Sequence, residues 1–341
     1  MEGAWRRSNY QRSGEYRKPI ESERIGFSAF GLRADPSNMN KVVKSLKIKR
    51  NEIHYHLMLL PGMVLLILFS FLPMMGAVMA FQDYKPVRGI FGSEWIGLEY
   101  FRFLFEMPDS KEIFYNSIFL AVMKIIANLI VPLLFALMLN EIRVRGLKRS
   151  IQTIVYLPHF LSWVLLATIF FNVFSYDGMV NQVLGWFGVE PTMFYASNTW
   201  FPAIIVATDV WKEFGFNAII YLAALTGINP ALYEAASMDG AGRFKQLVHV
   251  TMPGLKTTII LLATLSLGNV MNANFDQIFN MYNPLVYESA DIIDTYVYRL
   301  GLIDLQYSLA TAVGLLKSVV SFILIVMSYF LASKYANYRI F

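Results

Sequence analysis

Six apolar stretches set the terms for this chain of 341 residues. They run approximately over 57–81, 113–139, 151–176, 201–227, 257–275 and 305–332. Crossing about 30 Å of hydrocarbon takes roughly 20 residues of helix, so each is long enough to span a bilayer. The first, third and fifth contain no Lys, Arg, Asp or Glu, the second only Lys124 and the sixth only Lys317. The fourth, interrupted by Asp209, Lys212 and Glu213, is the weakest of the six. A mean hydropathy of +0.47 belongs to a polytopic membrane protein rather than a soluble domain. The expected fold class is therefore an all-α integral membrane protein with six transmembrane helices. Pro132 and Pro158 fall inside the second and third stretches, where kinks are expected.

The formal net charge of +5 raises nucleic acid as a partner, but the distribution of Lys and Arg argues for lipid. About twenty-one lie before the first stretch, in 141–149, between the fourth and fifth stretches, and after the sixth. About five lie on the opposite side: Lys85, Arg88, Arg102, Lys111 and Arg299. By the positive-inside rule both termini are expected in the cytoplasm. The absence of cysteine excludes disulfides, thiolate metal sites and cysteine nucleophiles. No cleavable signal sequence is visible before the first stretch.

Residues 1–50 form a polar tail of mixed charge whose first part reads as disordered. Residues 51–341 form the membrane domain. Residues 82–112 read as a small cap of turns and a short helix, and 178–188 and 291–304 as helices beside the membrane. Neither an internal repeat nor a catalytic constellation such as Gly-x-Ser-x-Gly or His-Glu-x-x-His is present.

Between the fourth and fifth stretches lies Asn229-Pro230-Ala231-Leu232-Tyr233-Glu234-Ala235-Ala236-Ser237-Met238-Asp239-Gly240-Ala241-Gly242, with Pro253-Gly254-Leu255 further on. Asn229 suits an N-cap, Pro230 the first helical position, and Gly240 a C-terminal stop. Ala231, Ala235 and Ala236 make one side smooth, while Leu232, Tyr233 and Met238 offer bulk and Glu234 and Asp239 offer charge. Pro253 is expected to break the segment before it and turn the chain into the fifth span. So short a helix is not stable alone in water, so something must hold it.

At these residues the chain resembles the membrane subunits of bacterial ABC importers, whose cytoplasmic loop reads Glu-Ala-Ala, Asp-Gly-Ala, then an apolar-Pro turn. The resemblance covers roughly 113–332. It includes Asp209-Val210-Trp211-Lys212-Glu213-Phe214-Gly215, and it extends to the oligosaccharide and polysaccharide-fragment subgroup at Phe275-Asp276-Gln277-Ile278-Phe279 and Asp294-Thr295-Tyr296-Val297-Tyr298. It implies the type I importer permease fold in the bacterial inner membrane, with 229–255 as the coupling loop. Tyr233, Glu234, Ala235, Ala236, Met238, Asp239, Gly240 and Pro253 would carry contact with an ATPase. It also implies a second, homologous permease, two ATPase subunits holding ATP and magnesium, an external binding protein and an oligosaccharide substrate. No phosphate-binding Gly-x-x-x-x-Gly-Lys-[Ser/Thr] sequence occurs, so the ATPase would be a separate chain.

Ionisable residues within spans face a cavity or a partner by default. Lys212 and Glu213 are adjacent, point about 100° apart, and are not expected simply to pair. Asn269 and Asn272, three apart, would share a helical face in the fifth span. With Trp211, Lys212 and Lys317 they form a candidate substrate path, since amides and aromatics suit sugar hydroxyls and C–H faces. The other reading makes the amides interhelical glue and gives the lysines carboxylate partners on another subunit. That reading is favoured for Lys124. Two rival functions are an ATP-independent secondary transporter, which the lack of repeats disfavours, and a membrane-embedded enzyme, which the lack of a catalytic constellation disfavours.

Overall fold

The computed structural model describes residues 53–268 and 270–336. The expectations for residues 1–50, and the placement of Asn269, lie outside the described residues. The chain divides into two units, Met1–Leu66 and Ile67–Phe341. In the first, α1 (Ile53–Leu66) is apolar on every side beyond His54 and His56 and exposed along its length. Such a helix suits an apolar surrounding rather than water.

In the second unit a two-stranded ribbon, β1 (Gln82–Asp83) and β2 (Glu94–Trp95), pairs Gln82 with Trp95 and Asp83 with Glu94. Helix α2 (Glu99–Glu106) follows. The first long helix, α3 (Pro108–Asn140), has 33 residues, longer than the expected stretch. Pro108 begins it, where a missing N–H costs nothing, and Asp109 complements the dipole. Pro132 lies inside α3 without ending it.

The third expected span is two helices, α4 (Arg145–Tyr156) and α5 (Trp163–Val173). They meet at a 104° bend. Pro158 tightens the chain into the 3-10 turn Leu157–Phe160, and Ser162 restarts a helix by accepting from the Leu165 N–H at 3.4 Å. A short helix, α6 (Met179–Gly185), occupies the expected 178–188 segment. The weakest stretch in sequence is a 26-residue helix, α7 (Phe201–Thr226), packed along α3. Gly215 lets α7 approach α4 closely: a Cβ there would stand 2.3 Å from the Val155 carbonyl oxygen.

Helix α8 (Pro230–Met238) leads to the apolar helix α9 (Arg243–Gly268). Pro253 does not break this segment as expected. A π-helical turn, Leu247–Thr251, immediately precedes the α-helical stretch Met252–Gly268, so the proline sits in that stretch's first turn, where its N–H is not needed. The fifth expected span, in contrast, stops early. Residues 270–274 are not helical, and α10 (Phe275–Met281) starts afresh. Asn272 therefore stands in a break rather than on a helical face. Asn274 has φ 67° and caps α10 by accepting from Gln277 N–H at 3.4 Å. Two further helices are α11 (Ile293–Tyr298), within the expected 291–304 segment, and α12 (Tyr307–Ala336).

Among the described residues four helices are long and apolar enough to cross a membrane, and six if each bent pair counts as one span. The larger core gathers Leu120, Phe201, Ile205, Ile278, Ile293 and Val313 at one end of the spans. A smaller one, Ala136, Ala218, Tyr221, Leu225 and Leu255, lies near the end that carries the 229–255 loop.

Candidate functional site: a braced surface helix and a neutralised interior

Helix α8 is short, and its neighbours hold it. Asn229 Oδ1 accepts from the Ala231 N–H at 3.0 Å, satisfying a donor that the first turn leaves unpaired. At its other end Gly240 takes φ +76°, which brings the Ala241 N–H within 2.9 Å of the Ala236 carbonyl. Tyr233 and Ala236 turn inward, half-buried. The Tyr233 hydroxyl meets Thr251 Oγ1 at 2.9 Å, and Gln246 Nε2 donates to Ser237 Oγ at 2.9 Å and to the Ala241 carbonyl at 3.0 Å. Gly254 lets α9 close on the chain before α8, since a Cβ there would lie 2.8 Å from Ile228 Cδ1.

The outward face carries Leu232, Glu234, Ala235, Asp239 and Met238, the last 89% exposed. Tyr233, one of the three bulky residues of the loop helix, is half-buried and braces it through Thr251. Pro253 lies on α9, beyond the braced helix.

The ionisable residues that fall inside the six apolar stretches, Lys124, Asp209, Lys212, Glu213 and Lys317, are paired inside this chain. Lys124, 6% exposed, lies 3.5 Å from Asp209 and donates to the Ala273 carbonyl at 2.7 Å and to Gln277. Its partner is on α7, not on another subunit as expected. Asp209 also accepts from Asn128 at 2.9 Å and from Asn274 at 3.2 Å, while Gln277 Nε2 donates to the Ile205 carbonyl at 2.7 Å. This network ties α3 and α7 to the broken segment. Buried charge is tolerated where pairing and hydrogen bonds complete it.

Lys212 and Glu213 do pair, at 3.2 Å, contrary to the sequence reading. The reason is His159. Its Nδ1 lies 2.7 Å from the second Glu213 oxygen and its carbonyl accepts from Lys212 at 2.6 Å, so the bend between α4 and α5 gathers both side chains. The His159 ring stacks on Phe216 at 4.0 Å. Lys317 on α12 lies 2.5 Å from Asp294 of α11 and 3.3 Å from Asn272.

Of the expected path residues, the structure joins Asn272 and Lys317. Trp211 is half-exposed and touches Phe170 edge-on at 5.5 Å, whereas its neighbour Lys212 is buried, so the two do not share a face. Sequence reasoning noted Asp209 and Glu213 but did not pair them with Lys124 and Lys212, and it missed Asp294, which lies outside the six stretches and reaches Lys317 from the 291–304 segment. Among the described residues no group of three His, Cys, Asp or Glu is placed to hold a metal ion.

Comparison with known proteins places this architecture. The polygalacturonan/rhamnogalacturonan transport system permease protein YteP of Bacillus subtilis (strain 168) is 41% identical over 300 residues, covering 87% of this chain and 94% of the relative. Protein LplB of the same organism is 41% identical over 295 residues, covering 86% and 92%. Among solved structures, a bacterial ABC transporter involved in the import of the acidic polysaccharide alginate contains a similar chain. It has 35% identity and a TM-score of 0.78, with 86% of this chain and 99% of that chain covered. A second alginate ABC transporter structure, in complex with an alginate pentasaccharide-bound periplasmic protein, matches with 35% identity and a TM-score of 0.77 over 84% and 96%. Residues 128–337, more than half of the chain and including both α8 and every buried ion pair but Lys124, match the family described as binding-protein-dependent transport system inner membrane component. To that family of ABC importer permeases this chain belongs.

Proposed function

We propose that this chain is one half of a heterodimeric pore that imports oligosaccharides or polysaccharide fragments, with ATP hydrolysed by two separate subunits. The observation that carries the reading is α8. It is capped at both ends and braced on Thr251 and Gln246, and it presents Leu232, Met238 and Glu234 outward. A short helix held rigidly from behind transmits a push, and its exposed apolar residues suit a partner's groove. In this reading the termini and Tyr233 are cytoplasmic, and the ATPases bind ATP and magnesium. An external binding protein delivers cargo to the opposite end.

The substrate class rests on kinship. Relatives named for polygalacturonan and alginate transport favour acidic oligosaccharides. The three span lysines add nothing to that preference, because each already has its own carboxylate. The test is ATP hydrolysis by the reconstituted complex, stimulated by binding protein loaded with oligogalacturonates, alginate oligosaccharides or neutral oligosaccharides. Stimulation by an acidic series is expected. A complex that purifies without ATPase chains, or that no oligosaccharide stimulates, would refute the reading.

A further inference from the structure

A wide-mouthed cavity of about 750 Å³ lies at the far end of the spans from the 229–255 loop. Phe275, Asp294, Tyr298, Tyr307, Thr311 and Ser318 are among its lining residues. We infer that this cavity is a contact site for sugar rings, which lie against its aromatic wall and hydrogen-bond to its hydroxyls. The inference rests on the proposed transport of oligosaccharides and adds the place and chemistry of one contact.

Most of the wall is apolar, with Pro73, Met74, Met79 and Leu315 among its residues, and one part of it combines aromatic faces with hydroxyls as a sugar site does. Phe275 and Tyr298 face the cavity with ring centroids 5.6 Å apart and planes tilted by 48°. Phe279 supports both, stacked on Phe275 at 5.1 Å and edge-on to Tyr298 at 4.7 Å, so the platform is fixed before any ligand arrives. The negative face of an aromatic ring favours the weakly positive C–H face of a pyranose. Also on the lining, Thr311 and Ser318 donate their own hydroxyl protons to the Tyr307 and Gly314 carbonyls, at 2.7 and 2.9 Å. Their oxygens are left with lone pairs for sugar hydroxyls to donate to. A mostly apolar pocket of this size with a few convergent polar groups is the usual form of a small-molecule site.

Charge on the wall is already balanced. Asp294 is held by Lys317 at 2.5 Å, and neither Lys nor Arg is among the lining residues. A uronate carboxylate would find no unpaired cation here. The cavity therefore reads ring faces and hydroxyls, and any selection for acidic sugars lies elsewhere in the importer.

The chain contains no cysteine, so a single Thr311→Cys reports on the cavity directly. In the assembled importer with its ATPase and loaded binding protein, maleimide labelling at position 311 should slow several-fold during oligosaccharide turnover. An equal concentration of sucrose should leave it unchanged. Tyr298→Ala should lower oligosaccharide uptake by about tenfold, the order expected for one lost aromatic contact, with Tyr298→Phe close to wild type. Unchanged labelling in a complex that transports normally overturns the site while leaving the transport reading intact. Labelling that responds to delipidation but not to sugar assigns the cavity to lipid and also overturns it. A wild-type complex that transports no oligosaccharide brings down both readings. If Tyr298→Ala fails to assemble, the protection result at position 311 decides alone.

Discussion

Lys124 and Asp209 show what single residues do in these spans. Each is almost fully buried, and each supplies the countercharge that makes the other tolerable. Lys124→Met leaves Asp209 without its cation and should cost about 3–5 kcal/mol, the range for breaking one side of a buried pair. The double variant Lys124→Met/Asp209→Leu should recover much of that loss. The readout is the unfolding midpoint of the purified complex in detergent, and an unchanged midpoint for the single variant would show that the pair contributes nothing. Gly240 is constrained by backbone rather than charge. At φ +76° an L-residue costs about 1–2 kcal/mol, and proline, locked near −65°, cannot adopt the conformation at all. Gly240→Ala should weaken coupling modestly and Gly240→Pro should abolish sugar-stimulated ATP hydrolysis. Wild-type coupling in Gly240→Pro would remove α8 from the drive train.

Helix contacts decide the next scale. At Gly215 the obstacle to a side chain is the Val155 backbone carbonyl, which cannot move without shifting α4. At Gly254 it is the end of the Ile228 side chain, which can rotate away. Gly215→Ala should therefore lower the yield and thermal stability of the complex clearly more than Gly254→Ala, and the reverse order would contradict the described α4–α7 crossing. The same contrast explains how much of the fold was legible. Hydropathy found the apolar runs, and Asn229, Pro230 and Gly240 marked α8, because those signals are local. The break at 270–274 carries no Pro or Gly. It is paid for by groups far away in sequence, such as Lys124 donating to the Ala273 carbonyl and Asn274 donating to Asp209. The inward turn of Tyr233 depends likewise on Thr251, eighteen residues on. Adjacent-residue geometry misjudged Lys212 and Glu213 because His159, on another element, draws the two side chains together.

For the whole molecule, orientation is the property to test. Single cysteines at Phe244, on the helix that follows α8, and at Trp95, on β2, are both at exposed positions. An impermeant thiol reagent on intact cells should label position 95 and reach position 244 only after permeabilisation. Labelling at 244 in intact cells would invert the topology on which the coupling proposal depends. The pairing of Lys124, Lys212 and Lys317 carries a wider consequence. A lone charge displaced across a bilayer would feel about 2.3 kcal/mol for each 100 mV of membrane potential. The Lys124–Asp209, Lys212–Glu213 and Lys317–Asp294 pairs move as neutral dipoles, so their displacement does almost no electrical work. With a neutral oligosaccharide as cargo, an importer built on this chain should turn over at the same rate in energised and depolarised vesicles, whereas an anionic cargo would feel the potential through its own charge.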